Sequence, residues 1–427
     1  MPPTIVRTSP ATNPVQDPPD HPDAHRTKTF AALQHPAFRW FFFGQLVSVT
    51  GTWIQAVAQQ IVVYNMTGSQ LALGIVACAQ GIPSLLLGPA AGVIVERVSR
   101  RRMLIMTQTA MMVLALILAA LSFSGTLQLW HIILIALGTG TATALDAPSR
   151  LSFFVEMVGK EDLPSGIVLN SMMFNIARIV GPALGGVALT AVGPSWCFLL
   201  NGLSFFAVLF GLVVMRVPPP KLSKGNGKIL QPLLEGVAFV RKHPTIRPLL
   251  LLSALTSSFG LTFTVLLPPY ADKVLGNTEV GTSALLTAQG IGALIASLFV
   301  ASTTNNGYRG ITMTRGALAA PAALLILAFT SSIFGAAPLV FIAGFAFVCQ
   351  FVLTNTLLQT EVPDQFRGRV LSLYTLTFFG LTPFGSLIMG ATAQVIDTVP
   401  AILIFAVINL VGVWLIIRSS PQVKTLR

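Results

Sequence analysis

The chain has 427 residues, of which 53% are hydrophobic and only 9% are charged, and its mean hydropathy is +0.77. This composition excludes a water-soluble globular protein of this length. The formal net charge of +12 suggests nucleic acid as a partner. The basic residues, however, fall in loops between apolar segments, where they attract anionic lipid and fix orientation, so we expect no nucleic-acid partner.

Twelve membrane-spanning helices are predicted from the long stretches that carry no charge. A helix needs roughly 20 apolar residues to cross the hydrocarbon core, and several stretches are long enough for two crossings joined by a short turn. The sequence therefore predicts an all-α polytopic membrane protein with spans at 40–64, 70–94, 103–124, 129–147, 165–191, 194–215, 246–270, 280–303, 311–332, 337–358, 370–394 and 398–417.

The basic residues predict how these spans are oriented. All but two of the 26 Lys and Arg residues lie in loops that fall on one side of the membrane. The exceptions are Lys273, in a predicted outer loop, and Arg178, within a span. An excess of Lys and Arg in cytoplasmic loops is typical of membrane proteins. We therefore expect a multi-pass protein of the cytoplasmic membrane with both termini in the cytoplasm.

The chain divides into two halves with a linker between them. Residues 1–37 are predicted to be a disordered, proline-rich cytoplasmic tail rather than a cleaved signal peptide. Residues 38–215 and 248–418 are predicted to form two six-helix halves, and 419–427 a second cytoplasmic tail. Within the linker, 216–247, apolar residues at helical spacing predict an amphipathic helix on the inner membrane surface. These residues are Leu230, Leu233, Leu234 and Val237.

The two halves look like duplicates of each other. The tetrapeptide Ala79–Ile82 in the second span recurs as Ala288–Ile291 in the eighth. At the same offset, Arg100 in the first basic loop corresponds to Arg309. Such matched landmarks predict a pseudo-two-fold arrangement with a cavity between the halves.

The loop after the second span has a distinctive sequence, from Gly92 through Glu96 to Arg102. It resembles the signature loop of the major facilitator superfamily, G-x-x-x-D-R-x-G-R-R, with Glu96 in place of Asp and Ser99 in place of Gly. The resemblance implies that the loop meets the eleventh span and latches a cytoplasmic gate, whereas the simpler alternative is a loop that only sets topology. The candidate gate residues are Gly92, Glu96, Arg97, Arg100, Arg101, Arg367 and Arg369.

The fifth span contains Gly181, Pro182, Gly185 and Gly186, in the order GPxxGG. Proline kinks a helix and glycines let a partner helix approach closely. The segment resembles the antiporter motif of the same superfamily, which implies export rather than import. Ordinary packing of small residues is the alternative.

A wider resemblance covers the chain from Phe38 to Arg418. The segments 146–150, 170–186, 193–198 and 359–383 resemble the bacterial transmembrane secretion effectors, a group that includes enterobactin-type siderophore exporters and macrolide efflux proteins. The resemblance implies a major facilitator fold and export of a small molecule. It does not identify the substrate.

Arg178 lies near the predicted middle of the fifth span. A buried arginine there costs several kcal/mol unless it is paired or hydrated, so we expect its side chain to face the interior. Ser171, Asn175 and Arg178 share one helical face. Arg178 either binds an anionic substrate or is held by backbone carbonyls and Gln side chains, and the second, structural role is favoured because intramembrane arginines often find carbonyl partners.

Other polar side chains lie within apolar spans. Such residues line a cavity or form hydrogen bonds between helices, and for any single one helix packing is the favoured explanation. The further cavity candidates are Gln55, Gln59, Gln80, Gln289, Gln350, Asn355 and Tyr374.

Energy coupling is assigned to the fourth span. The arginine that the superfamily usually carries there is replaced by Leu134, and Asp146 and His131 are the titratable side chains of this helix. Asp146 is the preferred proton carrier and His131 the second candidate. Asp146 could instead pair or cap at the membrane surface.

These features together predict a secondary active transporter, a proton-coupled exporter of a small amphipathic molecule that works by alternating access. A membrane sensor or scaffold that no longer transports, and an importer of the same fold, are the alternatives. We expect a monomer that is not an enzyme, with a small-molecule substrate, the bilayer and a coupling ion as partners. No cofactor is expected. No metal site is expected either, because the three cysteines, Cys78, Cys197 and Cys349, lack metal-ligand spacing.

Overall fold

The computed structural model describes residues 30–159, 161–215, 230–303 and 308–426, without the side chains of residues 89, 90, 92–97, 230–233 and 303. Within these ranges the secondary structure is helical and contains no strand. The α-helices are α1 Pro36–Thr67, α2 Gln70–Arg97, α3 Arg100–Phe123, α4 Leu129–Val158, α5 Leu163–Val192, α6 Pro194–Val214, α7 Leu230–Lys242, α8 Ile246–Phe259, α9 Leu267–Lys273, α10 Thr278–Thr303, α11 Arg309–Leu327, α12 Ile333–Glu361, α13 Asp364–Ile396 and α14 Thr398–Ser419.

Twelve of the described segments are long and apolar enough to cross a membrane. They are α1 to α6, the pair α8 and α9 counted as one, and α10 to α14. Helices satisfy their backbone groups internally, which the bilayer core requires. The prediction of a twelve-helix polytopic membrane protein is confirmed.

The fourth helix extends well past its predicted end at residue 147. Its last turns carry Arg150 and Glu156, which interrupt the apolar run on which the prediction relied. Both charges find partners, because Arg150 pairs with Asp146 at 3.4 Å and Glu156 pairs with Arg100 of α3.

The seventh span is not one continuous α-helix. It runs as α8, then as a 3-10 helix over Leu261–Leu266, and then as α9. Gly260 follows the last residue of α8, and a proline stands at the start of α9. Proline lacks the N–H that would continue the helical bonding, which favours an interruption here.

The two ends of the bundle differ in charge. The basic end, as we call it, carries both the first and last described residues together with Arg100, Arg101, Arg102, Arg150, Arg241, Arg309, Arg367 and Arg418. The opposite end has the short connections at 68–69, 124–128, 193, 274–277, 328–332 and 397.

The described part of the predicted linker contains a helix, α7, which packs at the basic end against the start of α13. Phe239 of α7 stacks on Phe366 of α13 with ring centroids 4.3 Å apart. Leu234 and Val237 remain exposed on the other side. Leu230 and Leu233, the other two members of the predicted apolar face, lie outside the described side chains.

The first and last segments that the structure describes pack on the bundle. The backbone N–H of Ala32 donates to Ser165 Oγ of α5 at 3.0 Å, while residues 1–29 of the predicted N-terminal tail lie outside the described ranges. In the predicted C-terminal tail, a 3-10 helix forms over Pro421–Thr425, and Val423 within it is fully buried. The N–H of Gly310 donates to the carbonyl of Leu426 at 3.0 Å, which joins this tail to α11.

The repeated tetrapeptide makes the same contact in both halves. A β-carbon on Gly140 of α4 would lie 2.1 Å from the backbone oxygen of Gln80 in α2. A β-carbon on Gly344 of α12 would likewise lie 2.3 Å from the backbone oxygen of Gln289 in α10. Only glycine allows helices this close, so the two halves share one packing scheme.

Candidate functional site

A cavity of about 710 Å³ lies between α2, α4 and α13, in the part of the bundle nearer the basic end. Most of its wall is apolar, and Arg369 is the charged residue among those that line it. Such a lining suits an amphipathic molecule better than a small ion. The lining residues are Ser84, Leu85, Gly88, Thr143, Ala144, Ala147, Pro148, Gly368, Arg369, Leu371, Ser372, Thr375, Leu376, Phe379 and Gly380.

The cavity begins where the contact between α2 and α13 ends. A β-carbon on Gly81 of α2 would lie 2.1 Å from Cγ of Pro383, and one on Gly380 would lie 2.6 Å from Cδ1 of Leu85. Beyond Leu85, towards the basic end, residues of the two helices line the cavity instead. Near the opposite end, a β-carbon on Gly390 of α13 would lie 2.5 Å from the backbone oxygen of Gln70. The first seam between the halves is therefore closed at the middle and at the opposite end.

The second seam, between α5 and α10, repeats this pattern. A β-carbon on Gly290 of α10 would lie 2.8 Å from the backbone oxygen of Arg178, and one on Gly186 of α5 would lie 2.6 Å from Cβ of Ser283. Gly290 corresponds to Gly81 at the offset of the repeated tetrapeptide. The same pseudo-two-fold relation thus governs both seams.

Polar contacts join the two halves at the opposite end. Tyr64 Oη donates to Asp272 Oδ2 at 3.0 Å, and Ser69 Oγ donates to Gln394 Oε1 at 2.7 Å. Because each bond connects an N-terminal-half helix to a C-terminal-half helix or its end, this side of the bundle is closed.

An ion pair lies beside these contacts. Lys273 Nζ donates to Asp397 Oδ1 at 2.6 Å, and the same carboxylate caps α14 by accepting from the N–H of Thr398 at 2.5 Å. The hydrogen bond from Lys273 and then the one from Thr398 lower the pKa of Asp397 below its ordinary value.

The arginines of the predicted gate loop bind neighbouring helices of their own half. Arg100 pairs with Glu156, and Arg101 donates to the carbonyl oxygens of Leu212 at 2.7 Å and Val213 at 2.9 Å. Those carbonyls belong to the last turn of α6, where a cation is favourable. The other loop members, Gly92, Glu96 and Arg97, lie outside the described side chains.

The arginines predicted on the other side of the gate have acidic partners. Arg367 pairs with Asp364 at 2.6 Å, three residues earlier in α13. Arg369 pairs with Glu235 of α7 at 2.8 Å. The linker helix therefore supplies a carboxylate to the one charged residue of the cavity wall.

The glycines of the GPxxGG segment face two different helices. A β-carbon on Gly181 would lie 2.3 Å from Cβ of Trp53, and one on Gly185 would lie 3.4 Å from Cα of Ile54, both in α1. Gly186 faces α10 instead. The segment, in which Pro182 is buried within the helix, thus packs α5 against its own half and against the other half.

Asp146 is buried between α3 and α4. Its Oδ1 accepts from Thr107 Oγ1 at 2.9 Å and from Gln108 Nε2 at 2.8 Å, while Oδ2 faces Arg150 at 3.4 Å. His131 lies near the other end of α4, where its Nδ1 accepts from the backbone N–H of Gln128 at 3.0 Å in a capping box. The structure does not bring these two candidates together.

Three of the predicted cavity residues are buried and bond to other helices. Asn201 Nδ2 of α6 donates to Gln55 Oε1 at 2.7 Å. Gln350 Nε2 donates to Thr256 Oγ1 of α8 at 2.8 Å, and Tyr374 Oη of α13 donates to the carbonyl of Phe351 in α12 at 2.8 Å.

The other predicted polar residues are more varied. Gln59 is buried, Gln289 is partly exposed and Gln80 is exposed. Asn355 accepts a hydrogen bond from Gln359 one turn later in α12. In the described part of the chain, none of the predicted polar candidates is among the residues that line the cavity described above.

Arg178 is partly exposed, and its guanidinium lies 5.7 Å from the ring centroid of Trp53. Asn175, one turn earlier, donates to the backbone oxygen of Ser171 at 2.9 Å. Among the described residues, no group of His, Cys, Asp and Glu side chains could hold a metal ion.

Sequence reasoning missed several partners. Glu235 is the single acidic residue among the basic residues of the linker, and this could have predicted that it pairs with an arginine. Thr107 and Gln108 are adjacent polar residues in an apolar span, and a search for donors to Asp146 could have found them. Asn409 is a single polar residue in α14, and its position beside Gly260 could not be read from one-dimensional spacing.

The chain belongs to the transmembrane secretion effector family of the major facilitator superfamily, because the family matches residues 27–425. The curated relatives include transporters of two kinds of cargo. A staphyloferrin A transporter of Staphylococcus aureus is 26% identical over 84% of this chain and 90% of its own length. The multidrug efflux pump Tap of Mycolicibacterium fortuitum is 26% identical over 82% and 88%, respectively.

A third relative is also a transporter, and two solved transporter structures have a similar fold. The enterobactin exporter EntS of Shigella boydii is 24% identical over 86% of this chain and 87% of its own length. The nucleoside transporter NupG superimposes with a TM-score of 0.69 at 17% identity, covering 90% of this chain and 98% of that one. A bacterial homologue of the lysosomal transporter Spinster gives 0.68 at 15% identity, covering 91% and 98%. This chain therefore has the fold of major facilitator transporters and is a membrane transporter.

Proposed function

We propose that this protein is a proton-coupled exporter that moves a small amphipathic molecule across the cytoplasmic membrane by alternating access. The observation that carries the proposal is the cavity between α2, α4 and α13, which lies towards the basic end while both seams are closed at the opposite end. Alternating access requires a state that is closed at one end of the bundle and holds a cavity towards the other end, and this arrangement agrees with such a state. Two relatives are named as an exporter and an efflux pump, which supports the direction.

The basic end faces the cytoplasm in this proposal. Lys and Arg concentrate at that end, and such residues are enriched in cytoplasmic loops. The exposed Leu234 and Val237 of α7, followed by Arg241 and Lys242, would then rest on the inner membrane surface. Substrate would enter the cavity from the cytoplasm and leave when the seams part at the opposite end.

The gate at the basic end closes when the loop around Glu96 meets the start of α13. Arg369 pairs with a carboxylate in both states, but the carboxylate differs. In the open arrangement it pairs with Glu235 of the linker helix, and on closure Glu96 takes the place of Glu235. Two carboxylates compete for one arginine, so the linker helix favours the open state and the loop favours the closed one.

Asp146 is the proposed proton carrier, with His131 as the second candidate. Its carboxylate faces Arg150, whose guanidinium also lies 4.8 Å from the ring centroid of Phe174 in α5. Protonation of Asp146 would break the ion pair and free Arg150 to move relative to α5. Since α5 forms one of the seams, this link could join proton binding to the movement of the two halves.

Directional flux tests the proposal. Everted membrane vesicles that contain the protein are acidified inside, and uptake of the fluorescent amphiphiles ethidium and dansylglycine is followed with and without nigericin, which collapses the pH gradient. We expect uptake of at least one probe above that of vesicles lacking the protein, and its loss on adding nigericin. Binding of a probe without any flux would support the sensor instead, and uptake only into right-side-out vesicles would support an importer.

A further inference from the structure

Arg178 lies in the middle of a membrane-spanning helix, and no acidic side chain in the described part of the chain pairs with it. It lies halfway along α5 (Leu163–Val192), about 22 Å from either end at the usual rise per residue. Among the residues that the structure describes, none accepts a hydrogen bond from its guanidinium and none forms an ion pair with it. An intramembrane arginine without partners is costly, so its presence here points to a function.

The structural role favoured from the sequence lacks the bonds it needs. That role requires backbone carbonyls or Gln side chains as acceptors, and none is found within the described ranges. The neighbouring Asn175 uses its amide within α5, on Ser171. Arg178 is partly exposed, and no described residue accepts a hydrogen bond from its N–H groups.

The surrounding charges do not neutralise Arg178. Asp146 is the one acid, among the described membrane-spanning helices, that lies more than two turns from a helix end. Its charge is matched by Arg150 and by donors from α3. The interior that the structure describes therefore carries a surplus positive charge at Arg178.

Trp53 gives this positive charge an aromatic neighbour. Its ring centroid lies 5.7 Å from the guanidinium carbon of Arg178, and its Cβ is seated against Gly181. The carbonyl of Arg178 itself packs against Gly290 of α10. The pair thus lies where α1 and α5 of one half meet α10 of the other.

We propose that Arg178 and Trp53 form a recognition subsite for an amphipathic organic anion, such as an aryl carboxylate or sulfonate. The acidic group bonds to the guanidinium and the apolar part packs along the indole ring. This inference rests on the proposed function and narrows its substrate class to anions. Arg178 and Trp53 are not among the residues that line the cavity between α2, α4 and α13, so the subsite adds a second contact region for the substrate. The subsite adjoins the seam between α5 and α10, which must separate during alternating access. A bound anion would therefore neutralise the charge of Arg178 at this seam.

Binding of a matched pair of probes tests the subsite. The full chain is purified into nanodiscs and titrated with dansylglycine, which carries a carboxylate, and with dansylglycinamide, which is uncharged but nearly the same shape. Energy transfer from tryptophan to the dansyl group reports binding. We expect dansylglycine to bind at least tenfold more tightly than the amide, and Arg178→Gln to remove this preference.

Two variants serve as controls. Arg178→Lys keeps the charge and should retain part of the preference. Arg418 also lies beside a tryptophan, 5.0 Å from the ring centroid of Trp414 in the same helix, α14. Arg418→Gln therefore removes a tryptophan-paired cation outside the proposed subsite and should leave binding unchanged. Trp53→Phe should weaken both probes without changing their ratio.

Several results would overturn the subsite. They are equal binding of both probes, no binding of either, or an unchanged preference in Arg178→Gln. Chloride that competes with both probes equally would also overturn it, because the site would then hold an inorganic ion. Charge-selective binding that depends on Arg178, without flux in vesicles, would refute the exporter but support the subsite. Flux that does not depend on the charge of the probe would support the exporter but refute the subsite.

Discussion

Asn409 of α14 lies against Gly260 at the end of α8, where a β-carbon on the glycine would be 2.7 Å from Asn409 Nδ2. The same contact joins Asn201 of α6 to Gly51 of α1, with 2.9 Å to Oδ1. The two pairs are related by nearly the offset of the repeated tetrapeptide. The two asparagines differ in their hydrogen bonds. Asn201 donates to Gln55, whereas neither side-chain amide atom of the fully buried Asn409 has a hydrogen-bond partner in the described chain.

This difference predicts opposite effects of one substitution. Asn409→Leu removes polar atoms that make no bond and should leave the thermal unfolding temperature unchanged or raise it. Asn201→Leu leaves Gln55 buried without its partner, at a cost of about 1–3 kcal/mol, and should lower that temperature. Thermal unfolding of both purified variants in one detergent checks the pair. A larger loss for Asn409→Leu would show that its amide has a partner in solution.

The contact at the opposite end should control which state is populated. Tyr64→Phe removes the hydrogen bond to Asp272 and little else. A single neutral-to-charged bond contributes about 1.5–3 kcal/mol, so states open at the opposite end should become more than tenfold more populated relative to the closed ones. Spin labels at Asn65→Cys and Val280→Cys should report longer distances. An unchanged distance distribution would mean that Tyr64 does not hold this end closed.

The gate proposal predicts two carboxylates with opposite effects. Glu96→Gln should shift the population towards the state open at the basic end, and Arg101→Ala should act in the same direction by loosening the loop. Glu235→Gln should shift it towards the closed state, because Arg369 loses its partner in the open one. Spin labels at Arg102→Cys and Gln365→Cys measure the gap. Shifts of the same sign in Glu96→Gln and Glu235→Gln would contradict the competition.

The coupling proposal concerns Asp146. Asp146→Asn cannot exchange a proton, yet the amide can still accept from Thr107 and Gln108. Uptake driven by the pH gradient should be lost, while probe binding and exchange without a gradient persist. Driven uptake at the wild-type rate in this variant would remove Asp146 from the mechanism, and His131→Gln would then be the next variant to measure.

The lowered pKa of Asp397 predicts that the free energy of unfolding falls slightly at acid pH. Its folded pKa lies below the ordinary 3.8, mainly because Lys273 donates to it. The stabilisation is therefore complete above pH 3.8 and is lost as the pH falls through the lowered folded value. With more than half of the side chain exposed, the effect should be below about 1 kcal/mol. Asp397→Asn should flatten the acid limb of the unfolding curve, and an identical limb in both proteins would contradict the assignment.

The helices were the most predictable part of the structure. Charge-free length and alternating basic loops give all twelve spans, because the bilayer imposes those constraints on the chain directly. The same reasoning fails where charges pair, as in the last turns of α4 with Arg150 and Glu156. It also misses the break after Gly260, since one glycine and two prolines in an apolar run do not fix the backbone conformation.

The candidate site was less predictable than the fold. Spacing identified Asp146 and Arg178 but not their surroundings, which come from α3 and α1. Gln55 and Gln350 have the composition of cavity residues, yet each bonds to another helix. Whether a polar side chain turns to a cavity or to a neighbouring helix depends on helix rotation, and a sequence with one polar residue per several turns does not define that rotation.

Distances across both ends of the bundle test alternating access most directly. Spin-label pairs at the basic end (Arg102→Cys with Gln365→Cys) and at the opposite end (Asn65→Cys with Val280→Cys) are measured in nanodiscs at two pH values, with and without dansylglycine. Alternating access predicts reciprocal changes, in which the basic-end distance shortens in the same conditions that lengthen the opposite-end distance. Distances that change together, or that do not change at all, would contradict it.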